Sequence, residues 1–159
     1  MCIRDSLKPF RQRAGLPAPG EEMGGWYSWA PLGDLDKPGD NGFAPGHSFG
    51  QYLSGLARDY AATGSKPTQE KVQRLVRGYA AAISPHFYEG NRFPAYIYDK
   101  VSIGLLDAHE FAGDPKAFPA LDATIKAVLP YLPAKALSRA QQYAHPHTDE
   151  SFCWDERCV

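Results

Sequence analysis

The sequence has little cysteine, no surplus of either charge and no long apolar run. Its three cysteines are an odd number and lie near the chain ends, which excludes a disulfide framework. Lys and Arg total 17 against 18 Asp and Glu, a net charge of −1, so no basic excess exists to neutralise phosphates. No stretch approaches the roughly 18 apolar residues of a membrane span, and no signal peptide opens the chain. We therefore expect neither nucleic acid nor a membrane as a partner.

Candidate metal ligands are also sparse. Cys153 and Cys158 supply two ligands in C-x4-C spacing, but a structural zinc site takes four and no second pair is visible. His145 and His147 flank a proline and have no nearby acidic ligands. The sequence thus predicts no metal site and no cofactor within this chain.

The composition that remains is that of one globular domain. Hydrophobic residues make up 43% and charged residues 22% of the chain, close to globular averages. Gly and Pro total 29, and 15 of them fall in the first 50 residues, which predicts a loop-rich segment over 7–46 and regular structure from His47 onward.

Four amphipathic helices are predicted after that segment. Apolar residues recur at helical spacing from His47 to a stop at Gly64, and again after Ser65 and Pro67 as far as Ile83. A third stripe runs from Asp99 to Gly113, and a fourth, capped by Asp114 with Pro115 in its first turn, extends to about 130. The expected units are a hairpin at 47–83, a hairpin at 99–130 and the entry to a third hairpin at 131–156.

The two hairpins resemble each other. Gly55-Leu56 matches Gly104-Leu105, and Gly64 matches Gly113, each pair 49 residues apart. Because the connections within the hairpins are short and the other segments are long, antiparallel hairpins place all the long segments at one end. We call this end the rim.

The rim segments combine aromatic rings with carboxylates and amides. They are 24–41, which contains Trp26 and Trp29, then 88–100, and 145–156. Sugar rings stack on aromatic faces and their hydroxyls need fixed donors and acceptors, so this mixture favours a carbohydrate site. Tryptophans that only anchor a loop to the helices are the alternative.

Two stretches resemble the β-L-arabinofuranosidase family, glycoside hydrolase family 127. The first reads FAPGHSFGQYLSGLA from Phe43, followed by YAATG from Tyr60, and is similar to the family's Gly-His-x-x-Gly-His-Tyr-Leu-Ser-Ala-Leu-Ala segment. The second reads YIYDK from Tyr96, GLLDA from Gly104 and AGDP from Ala112, and is similar to the family's Tyr-Thr-Leu-His-Lys block. Together the stretches cover residues 43–115 at the right spacing.

The resemblance implies an all-α fold, an (α/α)6 toroid of six helical hairpins, of which this chain supplies an incomplete part. It implies that residues 7–156 are the N-terminal portion of a catalytic domain, with 157–159 an uncertain end. Residues 1–6 resemble a translated sequencing adapter and are expected to be a non-native leader. The family's zinc-bound cysteine nucleophile lies downstream of these positions, so zinc is expected only through residues of the intact parent. Gln51 and Asp99 stand where the family has histidines, which indicates a divergent substrate.

The candidate residues follow from these patterns. The expected substrate-binding residues are Trp26, His47, Gln51, Tyr98, Asp99, His147 and Asp149. Glu150 and Glu156 are the catalytic candidates, because a glycosidase needs two carboxylates. Acidic residues in the first turn of a fifth helix are the alternative. Alternatively, His47 caps the start of its helix. Asp99 alternatively is an acidic residue in the first turn of its helix, where the helix dipole stabilises a negative charge.

The sequence therefore predicts a fragment of a secreted or periplasmic bacterial glycoside hydrolase, inactive alone, with an arabinose-containing or related glycan as its partner. A sugar epimerase or an unsaturated-uronyl hydrolase on the same toroid is one alternative, since fold does not fix function. A non-catalytic helical-repeat interaction module is the other.

Overall fold

The structure is a computed structural model that describes residues 3–20, 44–89, 91 and 93–132. Within these ranges the chain is helical and contains no strand, which confirms the all-α prediction. The helices are α1 (Ile3–Arg13), α2 (His47–Thr63), α3 (Lys66–Ala80), α4 (Pro94–Glu110) and α5 (Ala117–Val128). Two 3₁₀ turns, Pro85–Phe87 and Leu129–Tyr131, follow α3 and α5. No helix in the described part is long and apolar enough to cross a membrane.

Helices α2 and α3 form the first hairpin, and its turn follows the signals in the sequence. Gly64 ends α2 with a φ of 66°, a left-handed conformation that glycine adopts without strain. Ser65 then caps α3, because its side chain accepts a hydrogen bond from the backbone N–H of Thr68 at 3.4 Å, and Pro67 lies in the first turn. The short turn makes the two helices antiparallel neighbours.

Helices α4 and α5 form the second hairpin, with boundaries that differ from the prediction. Helix α4 begins at Pro94, five residues before the expected start at Asp99, because proline fits the first helical position, where no N–H is needed. Helix α5 begins at Ala117. Asp114 is buried and accepts a 2.8 Å hydrogen bond from the backbone N–H of Lys116, so it closes a turn before the helix instead of capping it.

The prediction of a loop over 7–46 is wrong at its start, because Ile3–Arg13 is helix α1. Residues 3–6, expected to be part of a leader, belong to this helix, and Ser6 is buried. The reason is tertiary: Leu7 and Phe10 lie on one face and are buried against the first hairpin. The Phe10 ring stacks on Phe87 at 4.4 Å between centroids.

One core joins all five helices. Helices α2 and α4 make the most extensive contact, and α3 and α5 pack beside them. The largest fully buried side chains are Phe10, Phe49, Leu53, Val72, Leu75, Val76, Tyr79, Ile97, Val101, Leu105, Thr124 and Val128. The core therefore spans both hairpins and α1.

Candidate functional site at the N-terminal ends of α2 and α4

Helices α2 and α4 are parallel, which follows from the order of their contacts. His47 meets Tyr96, and Ser54 meets Asp107 further along both helices. Two glycines let the backbones touch between these points. A Cβ added at Gly104 would lie 2.5 Å from the Gly50 carbonyl oxygen, and one added at Gly50 would collide with the Lys100 carbonyl. The N-terminal ends of α2 and α4 therefore lie side by side at one end of the molecule.

His47 is the first residue of α2, as the sequence predicts, and its side chain is buried. Its ring Nδ1 lies 2.7 Å from the carbonyl oxygen of Ala44. A carbonyl only accepts, so Nδ1 carries the hydrogen and donates it, and Nε2 of the neutral ring is the acceptor. The helix is capped by the backbone of Gly46, with no side-chain bond, so His47 is not its cap.

The environment of His47 favours the neutral imidazole. Burial lowers the pKa of His47 below its ordinary value of 6.5, and the charge of Lys100 lowers it further, while the hydrogen bond to Ala44 acts in the opposite direction. At neutral pH the ring is therefore a hydrogen-bonding group without charge.

Tyr96, Asp99 and Lys100 lie beside His47 on α4. The rings of His47 and Tyr96 are 5.9 Å apart, and the Lys100 ammonium lies 5.0 Å from the centre of the Tyr96 ring. Lys100 Nζ also donates to Asp99 Oδ2 at 2.8 Å, with both side chains partly exposed. Asp99 is in the second turn of α4. The alternative that it is a first-turn acidic residue stabilised by the helix dipole is therefore wrong.

Gln51 and Tyr98 are the fifth residues of α2 and α4. Gln51 is exposed and directly follows Gly50, whose backbone lies against that of Lys100. Tyr98 is partly buried, and both burial and the neighbouring charge of Asp99 raise the pKa of its hydroxyl. His47 and Gln51 therefore lie about one helical turn apart on α2, Asp99 directly precedes the Lys100 that lies against Gly50, and Tyr98 lies near Tyr88.

Tyr88 belongs to a buried polar group that sequence reasoning did not single out as a site. Deep in the core, the Tyr79 hydroxyl shares a 2.8 Å hydrogen bond with Thr124. The Tyr88 hydroxyl is buried without a hydrogen-bond partner among the described residues, as is Asn91 Nδ2. Burial raises the pKa of Tyr88 well above its ordinary value, and the nearby hydroxyls of Tyr79 and Tyr98 contribute to the rise. One indication of this group was present in the sequence: Tyr88 lies in the segment 88–100, which was predicted to be at the rim.

Asp107 is a second buried group that was not predicted. Its carboxylate accepts hydrogen bonds from Ser54 Oγ at 2.5 Å and from Arg58 Nε and Nη2 at 2.8 and 3.1 Å. Arg58 also lies 4.9 Å from the centre of the Phe111 ring. These bonds tie α4 to α2, which is a structural role. The 49-residue repeat could have indicated this contact, since it gives Arg58 and Asp107 equivalent positions in the two hairpins.

The remaining predicted residues lie outside the described ranges. They are Trp26, His147, Asp149, Glu150 and Glu156. Among the described residues, no three His, Cys, Asp or Glu side chains cluster in a way that would hold a metal ion.

Comparison of the chain with protein-family models, with curated proteins and with solved structures finds no match.

Proposed function

We propose that this chain is the N-terminal part of a β-L-arabinofuranosidase-like glycoside hydrolase, and that the N-terminal ends of α2 and α4 form part of its sugar-binding site. The parallel contact of α2 with α4 carries the proposal. It joins the two stretches that resemble the family, one at His47 and one at Tyr96, although they are far apart in the chain.

The proposed architecture is an (α/α)6 toroid. In such a ring the first helices of successive hairpins are parallel neighbours, and the second helices form another layer. The contacts of α2 with α4, and of each with the second helix of its own hairpin, support this arrangement. The described residues hold two hairpins, so further hairpins of a longer polypeptide would close the ring.

The chemistry of the site suits a sugar. A neutral His47 offers an acceptor, the Asp99 carboxylate accepts hydroxyl hydrogens, and the Gln51 amide does both. Tyr96 adds an aromatic ring between His47 and Lys100. Hydrogen-bonding groups beside an aromatic surface bind hydroxyl-rich rings. These residues bind and orient the substrate, and hydrolysis belongs to the intact parent.

Calorimetric titration of the 159-residue protein with arabinose-containing oligosaccharides tests the proposal. We expect measurable binding, and Asp99→Asn should weaken it about tenfold, since hydrogen bonds to a charged group contribute about 1.5–3 kcal/mol. His47→Gln should weaken binding as well.

Asp122→Asn is the matched control, because Asp122 is exposed on α5 and pairs with Lys126 at the surface. Binding by this variant should equal that of the unmodified protein. No heat with any glycan from a protein that is folded by circular dichroism would overturn the proposal and favour the helical-repeat interaction module. Equal losses in Asp99→Asn and Asp122→Asn would move the site away from the α2 and α4 ends.

A further inference from the structure

Two buried polar atoms in the rim segment 88–100 have no hydrogen-bond partner among the described residues. They are the hydroxyl of Tyr88 and the amide nitrogen Nδ2 of Asn91. Tyr88 is only 2% exposed, so water does not replace the missing partner at the surface. A buried polar group without a partner costs free energy, and such groups are rare in folded proteins. Two of them within four residues require a physical reason.

The two side chains are held in place by other contacts. The backbone N–H of Asn91 donates to the Tyr88 carbonyl oxygen at 3.1 Å, and Asn91 Oδ1 accepts from the backbone N–H of Phe93 at 3.0 Å. The oxygen of the Asn91 amide is therefore bonded, and its nitrogen is left as a donor. The Tyr88 ring packs edge-on against that of Phe87 at 5.0 Å between centres. None of these contacts uses the Tyr88 hydroxyl or Asn91 Nδ2.

Tyr88 adjoins the candidate sugar site. Its neighbour Phe87 lies against Gly46, the residue before His47, since a Cβ added at Gly46 would lie 3.1 Å from the Phe87 ring. On the other side, Tyr88 lies near Tyr98 of α4. Tyr88 is thus connected to the N-terminal ends of both α2 and α4.

We propose that Tyr88 and Asn91 bind hydroxyl groups of the glycan, an inference that rests on the function proposed above. A sugar hydroxyl both accepts and donates a hydrogen bond. Asn91 Nδ2 only donates, and the Tyr88 hydroxyl does both, so the pair matches that chemistry. A carboxylate would also accept from both groups, but burying a charge costs far more than burying a hydroxyl. Binding then returns the stability that the two atoms cost in the free protein.

The ligand reaches these atoms after a small rearrangement. Both atoms are closed off from solvent, but Asn91 as a residue is only half-buried. The ring of Tyr131, half-buried in the turn after α5, lies 6.3 Å from that of Tyr88. Movement of either half-buried residue opens the two atoms to the rim. Association should therefore be slower than at a site that is open from the start.

Calorimetric titration with arabinose-containing oligosaccharides, combined with urea denaturation, tests the inference on the 159-residue protein. Tyr88→Phe removes only the hydroxyl, and it should weaken binding about fivefold without lowering the urea midpoint. Asn91→Asp keeps an oxygen to accept from Phe93 but replaces the donor, so it should weaken binding as well. Tyr79→Phe is the matched control, because it removes a buried hydroxyl that is bonded to Thr124 in the core. In that variant stability should fall and binding should stay unchanged.

The outcomes separate this inference from the proposed function. Glycan binding by the unmodified protein that is equally strong in Tyr88→Phe would overturn this inference and leave the proposed function standing, whereas no binding by the unmodified protein would overturn both. A loss of binding in Tyr79→Phe as large as in Tyr88→Phe would also overturn it, because the effect would then come from the core. Equal losses of stability in these two variants, with unchanged binding, would assign the Tyr88 hydroxyl to an internal water instead.

Discussion

At the scale of single residues, the buried polar groups near the rim differ in whether their hydrogen bonds are satisfied. The Tyr79 hydroxyl is bonded to Thr124, and Thr124 Oγ1 also donates to the carbonyl oxygen of Ala120 at 2.8 Å. The Tyr88 hydroxyl has no such partner among the described residues. A buried polar atom without a partner costs free energy, whereas a bonded one stabilises modestly.

Replacing the two tyrosines by phenylalanine should therefore have opposite effects. Tyr79→Phe should lower the free energy of unfolding by about 1–2 kcal/mol, because the Thr124 hydroxyl loses one of its two hydrogen bonds in the core and keeps only that to Ala120. Tyr88→Phe should leave stability unchanged or raise it by about 1 kcal/mol. Urea denaturation followed by circular dichroism measures both, and an equal loss in the two variants would show that Tyr88 has a partner.

His47 makes the stability of the fold depend on pH. Its pKa is lowered in the folded protein, chiefly by burial, so the unfolded chain takes up a proton near pH 6.5 and the folded protein only at lower pH. The stabilisation is complete above pH 6.5 and is lost as the pH falls from there towards the lowered pKa. We expect the urea concentration at the denaturation midpoint to be lower at pH 4.5 than at pH 7.5.

His47→Gln should flatten that pH dependence. His86→Gln is the matched control, because the His86 side chain is 71% exposed in a surface pair with Glu89. An unchanged pH profile in His47→Gln would show that another group causes the loss of stability in acid.

At the scale of the helices, the contact of α2 with α4 depends on small residues at the crossing. Gly50 lies against the backbone of Lys100 and Val101, and Gly104 against the backbone of Gly50. A backbone atom cannot move aside as a flexible side chain can, so any larger residue must separate the helices. The same contact sets the positions of His47 and Asp99 at the candidate site.

Gly50→Ala and Gly55→Ala are a matched pair within α2. At Gly55 an added Cβ meets nothing within 4 Å, so alanine should stabilise the helix by about 0.5–1 kcal/mol. At Gly50 the added Cβ overlaps the Lys100 carbonyl, and we expect a loss of about 2–3 kcal/mol or more. Thermal denaturation of both variants measures the difference. Similar midpoints would show that α2 and α4 are not held in this close contact.

At the scale of the whole molecule, α1 and both hairpins share one core. Phe10 packs edge-on against Phe49 and Tyr79, at 5.4 and 4.9 Å between ring centres, and it is 1% exposed. The segment before His47 contains many glycines and prolines, which interrupt helices. The Phe10 side chain nevertheless connects α1 to α2, α3 and the 3₁₀ turn after α3.

Phe10→Ala should consequently destabilise the whole protein. Loss of a buried phenylalanine costs about 3–5 kcal/mol, and we expect a single transition at a lower urea concentration. Leu16→Ala, at a position 37% exposed, should change the midpoint little. If Phe10→Ala left the main transition unchanged, α1 would be an appendage and not part of the core.

The sequence by itself determined that four helices lie between residues 47 and 128 and how they pair into two hairpins. The apolar spacing, the Ser65 cap, Gly64 and the 49-residue repeat defined two hairpins, because helix periodicity and turn chemistry act over a few neighbouring residues. The same signals failed for α1, where Pro9 and the surrounding glycines and prolines indicated a loop, and for the start of α4 at Pro94.

Only the tertiary structure decided which residues meet. The close approach of Gly50 and Gly104 places His47 beside Tyr96 and Lys100, and the pairing of Asp107 with Arg58 and Ser54 joins the hairpins. Burial against Phe49, Tyr79 and Phe87 made α1 a helix of the core. These are contacts between residues distant in the chain, and no local pattern specifies them, because burial and backbone contact depend on how whole helices pack.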